Sequence, residues 1–290
     1  MNWMRYRLLY FAISAIVIGA GVFGLFKWGL KIGIDFKGGT ILEYKFENPV
    51  KEEDLKRFMG VLNLELSSLG KTGENIYTMR IANLEPGRKA IVEPFLERNL
   101  DNKLEELRYE NVGPSIGPDL IKKTFYAMGI SAVLILLWVA IQFKSFKFGV
   151  SAVLAMFHDS LVLIGSFALL GHFFGAEVDF LFVTAALTIL SFSVHDTIVV
   201  YDRVRETRKK IGGSMTEMAN MAISQTMVRS LNNSFTIIFM LVALILLGGE
   251  TIKWFAVALL IGTISGTYSS PFVAVPILVS WDELVSKIKK

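Results

Sequence analysis

The sequence contains no cysteine. Any exported part of it therefore folds without disulfides, on a hydrophobic core sufficient by itself. Charge is scarce as well: 19% of residues are Asp, Glu, Lys or Arg, against about 25% in soluble domains. The shortfall is uneven, with charge dense from Lys27 to Lys123 and sparse from Thr124 onward. No nucleophile constellation, metal-ligand spacing or phosphate-binding glycine loop occurs, so the sequence offers no enzyme chemistry and no metal or organic cofactor. The formal net charge of +4 does not indicate a nucleic-acid partner, because the basic residues sit in short segments beside apolar runs, where they set membrane orientation.

What is plentiful is apolar surface. Hydrophobic residues make up 53% of the chain and mean hydropathy is +0.50. A spanning helix needs about 20 mostly apolar residues. Stretches of that kind run over Leu8–Phe26, Thr124–Gln142, Phe148–Leu170, Phe180–Tyr201, Asn232–Leu247 and Trp254–Ser280. The fifth is short and is expected to reach back through Arg229. The first follows Arg5 and Arg7 as a secretory signal would, but its apolar run is too long and no small-residue cleavage site follows. It is read as an uncleaved anchor.

Basic residues mark alternate connections. Arg5 and Arg7 precede span one, and Lys144 and Lys147 lie between spans two and three. Arg203, Arg205, Arg208, Lys209 and Lys210 lie between spans four and five, and Lys287, Lys289 and Lys290 end the chain. Both termini are thus expected in the cytoplasm of a multi-pass inner-membrane protein. The predicted organisation is an N-terminus and first span at 1–27, an extracytoplasmic domain at 28–122, spans two to six at 123–281 and a basic tail at 282–290.

Within the insert the periodicity changes. Thr40–Phe46 alternates like a half-buried strand, and Asn48 with Pro49 reads as the start of a helix to about Val61. Leu62–Leu69 and Asn75–Ala82 read as strands, Arg88–Leu107 as a helix containing Pro94, and Tyr109–Ile116 as a last strand. That β-α-β-β-α-β order is the ferredoxin-like split unit. The expected fold class is therefore an all-α six-span bundle with an inserted α+β ferredoxin-like domain. Ahead of the first strand, Asp35, Gly38 and Gly39 lie in Gly33–Thr40, where paired glycines permit a sharp turn.

An aspartate at the centre of a membrane helix costs about 2.5–3.5 kcal/mol unless a partner, water or a proton relieves it. Asp159 lies roughly 16 Å into span three at 1.5 Å per residue, and Asp196 lies in span four. Each follows a histidine, His158 and His195. Thr184, Thr188, Ser191 and His195 share one face of span four, beside Asp196. Arg229, Asn232 or Asn233, and Thr236 form a similar stripe on span five, and an Asp196–Arg229 pair is geometrically reasonable. Two readings stay open for it: a packing pair, or a proton relay in which Asp196 changes protonation. Asp159 is expected in a supporting role. Gly262, Gly266 and Ser270 recur every four residues in span six and let another helix approach, while Pro271 and Pro276 predict a kink.

These residues carry a resemblance. Gly33-Ile34-Asp35-Phe36-Lys37-Gly38-Gly39-Thr40 resembles the segment after the first span of the SecF family. Ser193-Val194-His195-Asp196-Thr197-Ile198-Val199-Val200-Tyr201-Asp202-Arg203-Val204-Arg205-Glu206 resembles its fourth-span signature, and Val112-Gly113-Pro114-Ser115-Ile116-Gly117 its entry to span two. The resemblance implies the RND superfamily and a subunit of the SecD–SecF complex. That complex works with SecD beside the SecYEG channel on a translocating preprotein, and is driven by the proton gradient. It implies that Asp196 and Arg229 move protons. His195 stands where the family usually has Asn, and two roles stay open for this ionisable neighbour: altering the Asp196 carboxyl, or joining the relay as a supporting member. The alternatives are a passive assembly subunit and one half of an RND-type small-molecule exporter.

Overall fold

The computed structural model describes residues 1–82, 84–113 and 116–288. In chain order, a single 3-10 turn at Trp3–Tyr6 leads into α1 (Arg7–Trp28), and the short α2 (Ile34–Lys37) precedes β1 (Gly39–Phe46). Then come α3 (Glu52–Val61), β2 (Leu66–Gly73), β3 (Ile76–Ile81), α4 (Lys89–Leu100) and β4 (Leu104–Val112). The long helices are α5 (Ile116–Gln142), α6 (Phe146–Phe174), α7 (Phe180–Ile211), α8 (Met215–Leu247) and α9 (Glu250–Ser269), with α10 (Val275–Ile288) closing the chain. Two compact units result: Met1–Lys31 with Phe125–Lys290, and Ile32–Thr124. Lys289 and Lys290 of the expected tail, and Pro114 and Ser115 of the span-two entry, lie outside the described residues.

Among the described residues, six helices are long and apolar enough to cross a membrane. α6, α7 and α9–α10 form the packed centre of the bundle, while α1, α5 and α8 turn most of their apolar surface outward. Close packing on α6 depends on Gly21 of α1 and Gly165 of α6. A Cβ on Gly165 would lie 2.6 Å from the Gly21 Cα, so only a glycine pair allows these backbones to meet. The small-residue row of α9 behaves similarly against α7. A Cβ on Gly262 would fall 2.2 Å from Ile189, and one on Gly266 would lie 3.3 Å from the Ser193 Cα. Ser270 continues the row, with its hydroxyl 3.0 Å from that of Thr197.

The last span is interrupted by a π turn at Ser270–Ala274. Pro271 has no amide hydrogen to give to the carbonyl four residues back, and a wider turn accommodates that loss. Ser270 Oγ donates to the Gly266 carbonyl at 3.0 Å, which helps hold the turn. At the end of the bundle where α6 begins and α7 finishes, Arg7 pairs with Glu283 at 2.7 Å, and Lys147 pairs with Asp282.

The other unit is a four-stranded antiparallel sheet, ordered β2-β3-β1-β4. Leu55 and Met59 of α3 and Val92 and Leu96 of α4 pack with Leu42, Tyr44, Phe46, Tyr77, Met79 and Ile81. Each such side chain contributes roughly 1.5–3 kcal/mol on burial, which is how the unit manages without disulfides. Several expected boundaries move. The first helix starts at Glu52, not behind an Asn48 cap, because Asn48 is tied through its backbone N–H and C=O to the Asn102 side chain. The second strand runs over Leu66–Gly73: α3 ends at Val61 as expected, and the left-handed Asn63 (φ 51°) turns the chain for a few residues before the strand begins. The second helix ends at Leu100, where Asp101 takes φ 47°. The chain then has room for a strand over Leu104–Val112 before α5, in place of Tyr109–Ile116.

α4 lies over a group of interacting ionisable side chains. Lys89 Nζ is 2.6 Å from Glu106 Oε2, and the Tyr44 hydroxyl donates to Glu93 at 3.3 Å. Burial, reinforced by Glu106 beside it and partly offset by Lys89 and Tyr44, holds the Glu93 carboxyl above its usual range. Burial pushes Glu106 the same way, but the hydrogen bonds from Lys89 and Glu93 outweigh it, so Glu106 sits low.

Candidate functional site

The turn ahead of β1 is built as a strongly bent entry. α2 is a single turn closed by Gly38 N–H donating to the Ile34 carbonyl at 2.7 Å, with Asp35 half-buried within it. Gly38 (φ 77°) and Gly39 (φ 131°) occupy the region that favours glycine. A Cβ on Gly39 would also sit 3.0 Å from the Ile81 carbonyl oxygen.

Asp196 is buried on α7. Its Oδ2 accepts a hydrogen bond at 2.6 Å from Ser230 Oγ on α8. The direct Asp196–Arg229 pair is not formed in this chain. Successive residues of a helix point about 100° apart, and the register places Ser230, not its neighbour, against the carboxylate. Arg229 is exposed, has no ion pair within 4 Å among the described residues, and borders a cavity of about 520 Å³ with Gln142, Asp202, Arg203, Arg205 and Glu206. That cavity opens at the basic end of α7. Arg203 bonds Glu206 and Gln225, and Arg205 bonds Asp202 and the Gln142 carbonyl. The polar groups lining it can hold water up to Arg229, one residue from the Asp196 partner.

The polar stripe of α7 faces outward: Thr184, Thr188, Ser191 and His195 are all exposed. Thr184 and Thr188 donate to the carbonyls of Phe180 and Thr184, at 3.0 and 2.8 Å. On α8, Asn232, Asn233 and Thr236 are exposed too. His195 is adjacent to Asp196 in sequence and about 100° from it around the helix, exposed where Asp196 is buried. The hydrogen bond of Asp196 goes to Ser230, and both His195 and Arg229 lie near enough to act on it electrostatically.

Asp159 stands elsewhere. It is fully buried on α6, and its carboxylate accepts from Ser193 (2.6 Å), Ser265 (2.5 Å) and Ser269 (2.6 Å), with His158 Nδ1 at 3.0 Å. It thus ties α6 to α7 and α9. Reading the sequence for unusual residues overlooked Ser230, Ser193, Ser265 and Ser269, because serine is unremarkable in membrane helices. The four-residue spacing of Ser265 and Ser269 was the one available signal.

Comparison with known proteins agrees with this architecture. Residues 92–284 match the family model for the protein export membrane protein SecD/SecF, C-terminal, and residues 23–50 match the SecD/SecF GG motif. A protein translocase subunit SecF from Thermobaculum terrenum is 41% identical over 296 residues, covering 96% of this chain and 93% of that protein. The chain belongs to the SecF family of protein translocase subunits. A SecF from Anaerolinea thermophila is 35% identical and covers 97% of this chain and 94% of its own. Among solved structures, that of SecDF, a translocon-associated membrane protein from Thermus, superposes with a TM-score of 0.84 at 31% identity, over 98% of this chain. The chain spans 39% of the length of that SecDF polypeptide. A second SecDF structure, in a super-membrane-facing form, gives a TM-score of 0.72 at 30% identity. SecF proteins are translocase subunits, and the GG motif maps onto the Gly38–Gly39 bend described above.

Proposed function

We propose that this chain, joined to SecD, uses the proton-motive force to assist late translocation of preproteins beside the SecYEG channel, with both termini in the cytoplasm. The observation that carries the reading is Asp196: a buried intramembrane carboxylate whose one hydrogen-bond donor among the described residues is a neutral hydroxyl, one residue from an arginine that borders a polar cavity. Its charge is not compensated within 4 Å by a cation, so taking up a proton relieves the cost of burial. Each proton crossing 100 mV releases about 2.3 kcal/mol, enough to shift a helix-packing equilibrium nearly fiftyfold at 1.4 kcal/mol per decade.

In this account Asp196 is the proton carrier and Arg229 competes for the deprotonated carboxylate, swinging from its cavity to Asp196. His195, next to Asp196 and on the exposed stripe, supports the relay. Asp159 supports the bundle. Repacking of α7 against α8 would then move the extracytoplasmic domain, whose β-α-β-β-α-β order we assign to the ferredoxin-like class, while it holds emerging polypeptide. The relatives named above are translocase subunits, which leaves the small-molecule exporter reading without support. The test is Asp196→Asn in vesicles reconstituted with SecD and the channel. Gradient-stimulated preprotein translocation should be lost while gradient-independent translocation persists. Undiminished stimulation would instead favour the passive assembly subunit, for which an Asp196–Ser230 packing bond suffices.

A further inference from the structure

The four-stranded sheet ends in two edges, β2 and β4, and they differ in how they are finished. An exposed edge presents a row of unpaired N–H and C=O groups, and folded proteins blunt it with charge, proline or a bulge. β4 is blunted. It carries Glu105, Glu106, Arg108 and Glu110, and its register slips at Leu107, between the pairs Glu43–Arg108 and Tyr44–Glu106. Its charges are held in place: Arg108 grips Glu110 through two bonds of 2.8 Å, and Lys89 reaches Glu106 at 2.6 Å.

β2 is open. Lys71 is its one charged residue, and the ammonium lies 6.0 Å from the centre of the Tyr77 ring on β3, so it leans back over the sheet and away from the edge. Ser68, Gly70 and Thr72 are exposed, and a Cβ on Gly70 would meet nothing within 4 Å. Bulges at the two ends of β2 leave Ser68–Lys71 in regular register with β3. Among the described residues, no backbone hydrogen bond leaves β2 on its far side. The pairing also fixes where its side chains point. Leu66 lies opposite Ile81 and Leu69 opposite Met79, so both face the core, yet they are only half-buried at its margin. Ser68 and Gly70 lie opposite Arg80 and Thr78 on the other face. A further strand at this edge would pair its backbone with β2 and cover Leu66 and Leu69 at once.

We propose that β2 takes up an extended polypeptide as a fifth strand, and that the occupant is a segment of the preprotein, a choice that rests on the export reading above. In strand addition, main-chain hydrogen bonds supply the affinity and pockets for alternate side chains supply the specificity. Serine, glycine and threonine give β2 no such pocket on its open face. The edge therefore accepts a chain because it is unfolded and extended, not because of its sequence. Its one requirement is apolar side chains at alternate positions, turned toward Leu66 and Leu69. A folded protein with its strands already paired has nothing to offer this edge.

The chain has no cysteine, so single ones report without background. Gly70→Cys points to the open face of the sheet, and Lys71→Cys, opposite Tyr77, to the helix-covered face. The full chain carrying either is placed in phosphatidylcholine nanodiscs with a peptide of alternating leucine and threonine. The peptide is flanked by lysines and bears one cysteine, moved through successive positions. Leucines turned toward Leu66 and Leu69 fix which face the peptide presents, and directly opposed side chains lie about 4.5–5.5 Å apart. Gly70→Cys should therefore form disulfides at threonine positions and Lys71→Cys at leucine positions. Cross-links without that reversal, or no more of them than from Leu107→Cys on β4, would overturn strand addition. The second arm uses the complex with SecD and the channel, and a preprotein arrested in transit with single cysteines along it. Gly70→Cys should join the preprotein, and joining SecD alone would overturn the choice of occupant. The peptide arm needs no gradient, so Asp196→Asn should leave it unchanged. Failure of the export reading shows separately, as absent gradient-stimulated translocation by the unaltered chain.

Discussion

Removing the Asp159 carboxylate should destabilise the helix bundle by about 2 kcal/mol. Four donors, from α6, α7 and α9, converge on this one side chain. Hydrogen bonds between membrane helices average about 0.6 kcal/mol and reach about 1.7. Three of the bonds cross between helices, from Ser193, Ser265 and Ser269, which places the loss for Asp159→Ala at about 2 kcal/mol. Asp159→Asn keeps one acceptor oxygen and should lose about half as much. The assay is equilibrium unfolding of the full chain in mixed micelles with rising dodecyl sulfate, followed by circular dichroism. Asp119→Ala serves as the control, because Asp119 is exposed and pairs with Lys123 one turn along, and changes of that kind stay within about 0.5 kcal/mol. If Asp159→Ala unfolds with the control, the serine hydroxyls are not committed to the carboxylate and the hub is not a stabilising centre.

Further outcomes follow from other parts of the molecule. Gly165→Ala places a Cβ 2.6 Å from the Gly21 Cα; as backbone cannot rotate away, α1 must withdraw, costing about 1–3 kcal/mol in the same unfolding assay, whereas Gly19→Ala, whose Cβ meets nothing within 4 Å, should be neutral. Glu93, whose carboxyl is held high by burial first and Glu106 second, binds its proton more tightly folded than unfolded. Its contribution is therefore complete below the unfolded value near about 4.3 and is lost as pH rises through the raised folded value. Hydrogen exchange across Lys89–Leu100 should show α4 loosening over that window, and Glu93→Gln should flatten the response; an unchanged pH profile in the variant would rule the mechanism out. Cysteine placed at Ser191, on the exposed polar stripe of α7, and labelled with a thiol-reactive benzophenone should photocross-link to SecD in the assembled complex, while cysteine at the buried Ser193 should not.

The parts of the fold that rest on composition and period were legible from the residues alone. Apolar runs locate six long helices, and the alternation of Thr40–Phe46 locates β1 almost to the residue. The proline pair at 271 and 276 announces the break that appears as a π turn. Boundaries governed by single left-handed residues were not legible: Asn63 delays the start of β2 and Asp101 decides where α4 stops, and non-glycine residues rarely signal that conformation. The site divides in the same way. Aspartates in an apolar run stand out because lipid makes them expensive, but their partners do not, since a buried serine costs little to place. The rotation of α8 by one residue, which gives Asp196 to Ser230 and leaves Arg229 at the cavity, depends on how two long helices meet. No local pattern encodes it. The same is true of the outward direction of the Thr184–His195 stripe, whose hydroxyls look from sequence like lining and turn out to be surface.

Proton movement through Asp196 is the central claim, and flux reports on it without the rest of the export machinery. The SecD–SecF complex containing this chain can be sealed into liposomes around a pH-sensitive dye, with a potassium diffusion potential of about 100 mV imposed across them. That potential is worth about 2.3 kcal/mol per proton. The account predicts a pH change inside vesicles carrying the unaltered chain and none above empty liposomes for Asp196→Asn. Equal flux from the Asn variant would contradict it.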